Sequence, residues 1–239
     1  MNLKDFDVFT FDCYGTLIDW ESGMIEALKP LTDRLKESIT RDEILQTHAH
    51  HESTQQRWTP QKRYSELLAI VYKRIAEEWG LSVDVTVCET YGQSVKNWPA
   101  FSDSTESLKQ LQAHAKLVIL SNVDNQSFAA SRARLNVEFD AIITAEDVGS
   151  YKPSDRNFEY MIKHLQTMGI DKSRVLHTAE SLFHDHQPAS RHNLARCWIY
   201  RRHNQSGFGA TIDPGKQPAV DFQFNSMAEL ASAYCKSRT

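Results

Sequence analysis

The chain has 239 residues, of which 41% are hydrophobic and 24% charged, and its formal net charge is −4 at pH 7. Its five Trp, eight Tyr and eleven Phe supply enough apolar surface for a large core, which excludes a disordered chain. The charges form no basic stripe, so no nucleic-acid partner is expected, and no apolar run is long enough to span a bilayer. The cysteines lack CxxC spacing, and the N-terminus lacks the apolar segment of a secretory signal. We therefore expect a soluble cytoplasmic protein with reduced thiols and no membrane partner.

Short apolar runs predict a buried parallel sheet. They are rich in β-branched residues and alternate with segments in which apolar residues recur at the helical period. The predicted strands lie at residues 6–11, 116–121, 141–144, 174–178 and 196–200, and the predicted helices between them at 104–113, 126–135 and 157–168. This order is typical of an α/β fold with a Rossmann-like, doubly wound parallel sheet.

Between the first two predicted strands, residues 19–98 contain helical patterns and no strand candidate. The clearest helix extends from Tyr64 to Trp79, and others are predicted at residues 23–36, 41–51 and 84–97. An insertion directly after a strand lies over the sheet edge where α/β folds bind ligands, and a cap there excludes water. We predict a catalytic core of residues 1–17 and 99–239 with an inserted helical cap domain of residues 18–98. A helical decoration without a role in chemistry is the alternative.

The first predicted strand runs into Asp12, within the sequence FTFDCYGT. A carboxylate held at the end of a buried strand, with Gly15 relaxing the turn that follows, projects into the crevice as a fixed nucleophile. The alternative is an aspartate that only caps the turn.

Further polar groups follow the other predicted strands. Ser121 and Asn122 end the second strand, Lys152 lies in a loop before a helix, and Glu180 and Asp185 follow the fourth strand. Because the carboxyl ends of parallel strands meet at one edge of the sheet, these side chains are expected around the nucleophile.

This ordered set of motifs resembles the haloacid dehalogenase superfamily over nearly the whole chain. Phosphatases of that superfamily usually carry a second Asp two residues after the nucleophile, where this chain has Tyr14. The sequence D-x-Y-G-T is that of the (S)-2-haloacid dehalogenase branch. A halide or a protonated amine leaves without an acid, whereas the alkoxide of a phosphate monoester needs one. The resemblance therefore favours a hydrolase of small carboxylates over a phosphatase.

The resemblance also implies the catalytic roles. Asp12 would attack C2 of a 2-substituted carboxylate with inversion, and water would cleave the resulting ester at its carbonyl to give a 2-hydroxy acid. Lys152 would hold the nucleophile ionised, Thr16 would donate a hydrogen bond to it, and Asp185 would orient the water. The alternatives are that Lys152 only pairs with Asp185 and that Thr16 only satisfies the turn.

For the substrate, the resemblance implies that Ser121 and Asn122 bind the carboxylate and that Tyr14 lines the site. Trp20 either stacks on a cationic substrate or packs the cap on the core. Members commonly dimerise through cap helices, which makes a homodimer an open expectation.

Several positions depart from the dehalogenase pattern. Residues 45–52 contain no Arg where the branch has one that helps to hold the halide, and Phe158 stands where the branch has Tyr. Glu180 and Leu182 stand where the branch has Ser and Asn, after a one-residue insertion. A lost halide site with an added carboxylate is what a cationic leaving group would favour.

Three segments, residues 11–20, 94–101 and 177–186, resemble the (S)-azetidine-2-carboxylate hydrolases of this branch. That resemblance implies opening of the strained ring to 4-amino-2-hydroxybutanoate, with Glu180 beside the substrate. The alternatives are an (S)-2-haloacid dehalogenase, a Mg²⁺-dependent phosphatase and a catalytically silent binding protein.

We expect no metal and no cofactor. Glu180 and Asp185 could hold Mg²⁺ with the nucleophile, as in the phosphatases, but Tyr14 argues against an obligatory metal. The group His48, His50 and His51 lacks zinc-ligand spacing and is predicted to lie on a solvated helix face. His184 and His186 flank Asp185, and the sequence leaves open whether one of them lines the pocket or both pack in the core.

Overall fold

The computed structural model describes residues 1–238 and contains a parallel sheet of six strands in the order β3-β2-β1-β4-β5-β6. The strands are β1 (Val8–Phe11), β2 (Lys116–Ser121), β3 (Ala141–Thr144), β4 (Val175–Ala179), β5 (Ala195–Ile199) and β6 (Phe222–Phe224). All neighbouring strands pair in parallel. The predicted α/β fold with a doubly wound sheet is confirmed.

Ten α-helices surround or cap the sheet in the described part of the chain. Four lie between β1 and β2, namely α1 (Trp20–Thr32), α2 (Arg41–Trp58), α3 (Tyr64–Glu78) and α4 (Val85–Gly92). The others are α5 (Ser104–Gln112), α6 (Asn125–Leu135), α7 (Ala145–Val148), α8 (Asp155–Thr167), α9 (Gln187–Arg191) and α10 (Met227–Arg238). None of the helices in residues 1–238 has the length and apolar character needed to cross a membrane.

The central strand β1 determines where the site lies. Every residue of β1 is buried, and Phe11 is paired with Ile119 of β2 on one side and Thr178 of β4 on the other. Because the strands are parallel, the loops that follow these three strands meet at one edge of the sheet. Asp12 is the first residue beyond β1 at that edge.

Helix α2 is longer than predicted. It begins with a capping box, in which the Thr40 side chain accepts from the Glu43 amide and the Glu43 carboxylate accepts from the Thr40 amide. The prediction ended this helix at residue 51, whereas it continues to Trp58, just before Pro60. The additional turns carry Glu52 and Gln56 to the sheet edge.

The division into a core and a cap domain stays a prediction. At the predicted border, Ile18 and Ala100 form an antiparallel bridge, so the segment that enters the cap lies beside the segment that leaves it.

The sequence patterns missed β6 and α10. Strand β6 has only three residues and lies at the edge of the sheet, so it lacks the long apolar run of a central strand. Helix α10 has few large apolar side chains, but it buries Met227, Leu230 and Tyr234 against the core. Tertiary packing therefore specifies both elements.

Candidate active site

Asp12 is held by the turn that follows β1. Its backbone N–H donates to the Thr178 carbonyl at 3.1 Å, and its side chain is only 6% exposed. The turn closes through Gly15, whose amide donates to the Ile18 carbonyl and whose φ of +93° is readily adopted only without a side chain. The Thr16 hydroxyl donates to Oδ2 of Asp12 at 2.8 Å. The carboxylate is therefore fixed in direction.

Lys152 lies between two carboxylates. Its Nζ is 2.9 Å from Oδ1 of Asp12 and 2.7 Å from Oδ1 of Asp185. It also donates to the Leu120 carbonyl at 2.9 Å, so all three ammonium protons have acceptors. Lys152 therefore pairs with Asp12, as predicted, and also with Asp185, which was the alternative.

A buried histidine that the sequence patterns did not single out supports Asp185. Nε2 of His177 is 3.0 Å from Oδ1 of Asp185, and Nδ1 is 2.9 Å from the Thr10 hydroxyl. His177 and Thr10 both lie on buried strands, which is why they had the appearance of core residues. Oδ2 of Asp185 has no hydrogen-bond partner among the described residues. This oxygen is the acceptor of the carboxylate that the described residues leave unused.

Burial and charge set the protonation of this group. Burial raises the pKa of Asp12, the Lys152 charge opposes that change, and the Asp185 charge raises the pKa again, so the net direction is upward. For Asp185, burial also acts to raise the pKa, but Lys152 and His177 outweigh it and hold the pKa well below its usual range. The two carboxylates raise the pKa of Lys152 despite its burial. The group carries one positive and two negative charges when both carboxylates are ionised.

Ser121 and Asn122, which were predicted to bind the substrate carboxylate, have other surroundings in the structure. Both polar atoms of the Asn122 amide bind the backbone of Lys152, with Nδ2 donating to the carbonyl at 3.0 Å and Oδ1 accepting from the amide at 2.6 Å. Ser121 is buried, its hydroxyl has no hydrogen-bond partner among the described residues, and it does not line the cavity at Asp12. Asn122 therefore positions Lys152.

A partly enclosed cavity opens at Asp12 between the sheet edge and the cap. The lining residues come from the loops after β1, β2, α7, β4 and β5 of the core and from α1, α2 and α3 of the cap. They are Asp12, Tyr14, Trp20, Glu52, Gln56, Tyr64, Asn122, Lys152, Ser181, His184, Asp185 and Thr211. Of the predicted substrate-binding residues, Tyr14, Trp20 and Asn122 lie here. The Tyr14 hydroxyl is hydrogen-bonded to Ser131, so Tyr14 contributes its ring to the site.

The cap supplies a carboxyl group that sequence reasoning missed. Glu52 is 5% exposed, and its Oε1 accepts from the Tyr64 hydroxyl at 2.7 Å and from Gln56 Nε2 at 3.3 Å. Burial raises the pKa of Glu52 to about 7, although the Tyr64 hydrogen bond lowers it in part. The sequence spacing could have indicated this contact, because Glu52 and Gln56 are four residues apart and such residues are neighbours on one face of a helix.

The histidine prediction is wrong for His48. Its ring is fully buried under the cap, 3.7 Å from Glu52, and only His50 of the predicted solvated group is exposed. Burial lowers the pKa of His48 to about 3, so the ring is neutral at physiological pH. The error arises because α2 is longer than predicted and buries the face that carries His48.

Glu180 lies outside the cavity at Asp12, contrary to its predicted role. Its side chain lines a neighbouring cavity with Arg201 and Arg202, and burial, together with the charges of nearby carboxylates, raises its pKa to about 8. The three carboxylates proposed for Mg²⁺ are thus not assembled, and Lys152 occupies the position between Asp12 and Asp185. No group of three His, Cys, Asp or Glu side chains suited to a metal is found within residues 1–238. The residues present do not fit a bound metal.

Comparisons with known proteins agree with this fold. The sequence profile of the haloacid dehalogenase-like hydrolases matches residues 6–178. An (S)-2-haloacid dehalogenase of Pseudomonas sp. strain YL is 28% identical over 199 residues, 81% of this chain and 82% of that protein. A pyrimidine 5′-nucleotidase of Escherichia coli strain K12 is 28% identical over 131 residues, 54% of each chain. The structure of L-2-haloacid dehalogenase from Xanthobacter autotrophicus with chloropropionic acid covalently bound is 17% identical, with a TM-score of 0.74 over 95% of this chain and 97% of that one.

Proposed function

The chain belongs to the haloacid dehalogenase-like hydrolases, and within that family we propose that it opens (S)-azetidine-2-carboxylate to 4-amino-2-hydroxybutanoate. One observation carries this choice of substrate: Glu52, a residue of cap helix α2, lines the same cavity as Asp12. The arrangement of Asp12, Lys152 and Asp185 supports nucleophilic attack at C2 followed by ester hydrolysis. The carboxyl group of Glu52 supports a positively charged amine as the leaving group.

The first step displaces the ring nitrogen. A carboxylate oxygen of Asp12 attacks C2, the C2–N bond breaks, and its electron pair stays on nitrogen. The ring cation thereby becomes a neutral primary amine, and Asp12 becomes an ester of the 2-hydroxy acid. Release of ring strain and a positively charged leaving group make a separate acid unnecessary. The Thr16 hydrogen bond directs the attacking carboxylate.

The second step is hydrolysis of that ester. Water adds to the Asp12 carbonyl carbon, and the bond from this carbon to the substrate oxygen breaks, which regenerates the carboxylate. One water proton ends on the 2-hydroxyl group and the other on the amine, so substrate plus water balances the product. The unpaired Oδ2 of Asp185 supports a role in orienting the water, with His177 holding the carboxylate in place.

Electrostatics favour an amine over a halide in this cavity. At an effective dielectric constant of about 20, unit charges ~4 Å apart interact by roughly 4 kcal/mol. An ionised Glu52 attracts an azetidinium by this amount and repels a departing chloride by the same amount. Lys152 does not offset the repulsion, because its charge is shared by Asp12 and Asp185. Trp20 lines the same cavity, and we expect its ring to stack on the cation.

A second candidate, an (S)-2-haloacid dehalogenase, is supported by the Pseudomonas relative, which aligns with four-fifths of this chain. It uses the same nucleophile and the same two steps, and it differs only in the leaving group. A Mg²⁺-dependent phosphatase is supported by the nucleotidase, whose alignment covers 54% of the chain. The position of Tyr14 and the absence of an assembled carboxylate group argue against it.

The test is proton NMR of the purified protein in EDTA with (S)-azetidine-2-carboxylate or (S)-2-chloropropionate. We expect conversion of the azetidine to 4-amino-2-hydroxybutanoate, with Asp12→Asn inactive. A single turnover in H₂¹⁸O with excess enzyme should place the label in Asp12, as ester hydrolysis at the aspartyl carbonyl requires. Conversion of chloropropionate alone would replace the proposal by the second candidate. Absence of label in Asp12 would contradict the covalent mechanism for either substrate.

A further inference from the structure

The loop after β4 contains a turn that aims one imidazole at the cavity. Residues Leu182–His186 form a single turn of π-helix, and Ser181 precedes it as the N-cap. The Ser181 hydroxyl oxygen accepts from the His184 backbone N–H at 3.0 Å and lies 3.1 Å from Nδ1 of the same residue. His184 then lines the cavity at Asp12, next to Asp185. Single π-turns are frequent at functional sites.

These contacts are compatible with a ring proton on Nε2. The Ser181 oxygen accepts from the His184 backbone N–H, and its own proton can then be donated to Nδ1, 3.1 Å away. In that tautomer, which we assign to His184, the ring proton lies on Nε2. Burial lowers the pKa of His184 to about 4, so the imidazole is neutral at physiological pH. No other residue of the described chain forms a hydrogen bond with Nε2.

The substrate's carboxylate needs donors, and those expected from the sequence are occupied or absent. Asn122 binds the Lys152 backbone with both amide atoms, and Ser121 does not line the cavity. The three protons of Lys152 are all used. On the core side, His184 Nε2–H and the hydroxyl of Thr211 are side-chain donors without a partner among the described residues.

We propose that His184 binds the C2 carboxylate of the substrate through Nε2–H, with the Thr211 hydroxyl as a second donor. This arrangement places the substrate's negative group at the core loops and its leaving group toward Glu52 in the cap. The assignment rests on the proposed function as a hydrolase acting at C2 of a small carboxylate. It is independent of the leaving group, because azetidine-2-carboxylate and 2-chloropropionate share the carboxylate.

The direct test is NMR of ¹⁵N-histidine-labelled Asp12→Asn protein, which leaves His184 unchanged. We expect the Nε2–H resonance of His184 to shift on titration with (S)-azetidine-2-carboxylate and to remain in place with azetidine, the matched ligand without a carboxylate. Equal shifts with both ligands, or no shift with the carboxylate, would overturn the proposal. If the enzyme proves not to open azetidines, the same shift with (S)-2-chloropropionate still supports the role of His184.

The kinetic test compares two substitutions. His184→Phe retains a ring but removes the donor, and His184→Gln retains an N–H close to the position of Nε2. Since a hydrogen bond to a charged group is lost, KM should rise roughly 10- to 100-fold in His184→Phe, with kcat changed less than about threefold. His184→Gln should recover part of the affinity. An unchanged KM in His184→Phe, or a loss confined to kcat, would contradict substrate binding by His184.

Discussion

The two walls of the cavity are built on different principles. On the core side, Asp12, Lys152 and Asp185 are paired with each other, and Thr16 and His177 supply further hydrogen bonds. On the cap side, the hydrogen bonds that Glu52 accepts from described residues come from the neutral Tyr64 and Gln56, and the neutral His48 ring lies 3.7 Å away. Lys152 therefore opposes the effect of burial on both core carboxylates and holds the pKa of Asp185 low before substrate binds, whereas burial raises the pKa of the cap carboxyl Glu52.

This difference separates two tasks. A nucleophile has to be ionised and aimed in advance, which requires fixed partners. A group that recognises a cation gains from lacking a partner, since the substrate then supplies the missing charge. On the proposed function, the core wall provides the reaction and the cap wall selects the leaving group. The following changes weaken one wall at a time.

The largest effect is expected from Lys152→Met. Removing the ammonium leaves two buried carboxylates without a cation, so we expect activity to fall by ~10³-fold or more and the free energy of unfolding to fall by about 3–5 kcal/mol at pH 7. The pairing holds the pKa of Asp185 low in the folded protein, so its stabilisation is present above the unfolded pKa and is lost as the pH falls. Without the ammonium, burial raises the pKa of both carboxylates, so the variant can protonate them at pH 4, and urea unfolding should show a smaller difference from wild type at pH 4 than at pH 7. An equal difference at both pH values would contradict the charge pairing.

The next effect is expected from His177→Phe, which removes a hydrogen bond to Asp185 and keeps a ring of similar shape. Asp185 is proposed to orient the water, so the second step should slow by roughly 10- to 100-fold. The aspartyl ester should then accumulate and be detectable by intact-protein mass spectrometry after rapid acid quenching. A slower reaction without accumulated ester would indicate that His177 acts on the first step.

A smaller, pH-dependent effect is expected from Glu52→Gln, which keeps the shape of the side chain and removes its charge. In the wild type, kcat/KM for (S)-azetidine-2-carboxylate should rise as the pH passes through about 7, because Glu52 ionises there and attracts the cation. Glu52→Gln should abolish this rise and raise KM roughly tenfold above pH 8. The control is Glu66→Gln, an exposed carboxylate of α3, which should leave the pH profile unchanged. A rise retained in Glu52→Gln would assign the titration to another group.

The smallest effect is expected from metal removal. Lys152 occupies the position between Asp12 and Asp185, so prolonged dialysis against EDTA should change the rate by less than about twofold. Addition of Mg²⁺ to the dialysed protein is the matched control. Loss of activity in EDTA with recovery in Mg²⁺ would contradict the assignment and favour the phosphatase alternative.

Local sequence patterns by themselves determined the fold class and most of the core wall. Buried β-branched runs require a sheet, and polar residues directly after such runs have to meet at its carboxyl edge. For this reason Asp12, Lys152 and Asp185 could be predicted as neighbours, whereas the contact of Thr16 with Asp12 was implied by the family resemblance; the structure joins all four by hydrogen bonds. Their positions follow from the ends of elements, which short motifs encode.

The residues of the cap wall and the contacts of several polar groups depend on tertiary packing. Which face of α2 points at Asp12 depends on how far the helix extends and how it packs on α3, so Glu52 could not be distinguished from a surface glutamate. In the same way Asn122 is used by the Lys152 backbone, and Glu180 turns into a neighbouring cavity although it lies in the expected loop. A side chain's partner is determined by contacts distant in sequence, and these come from packing rather than from local spacing.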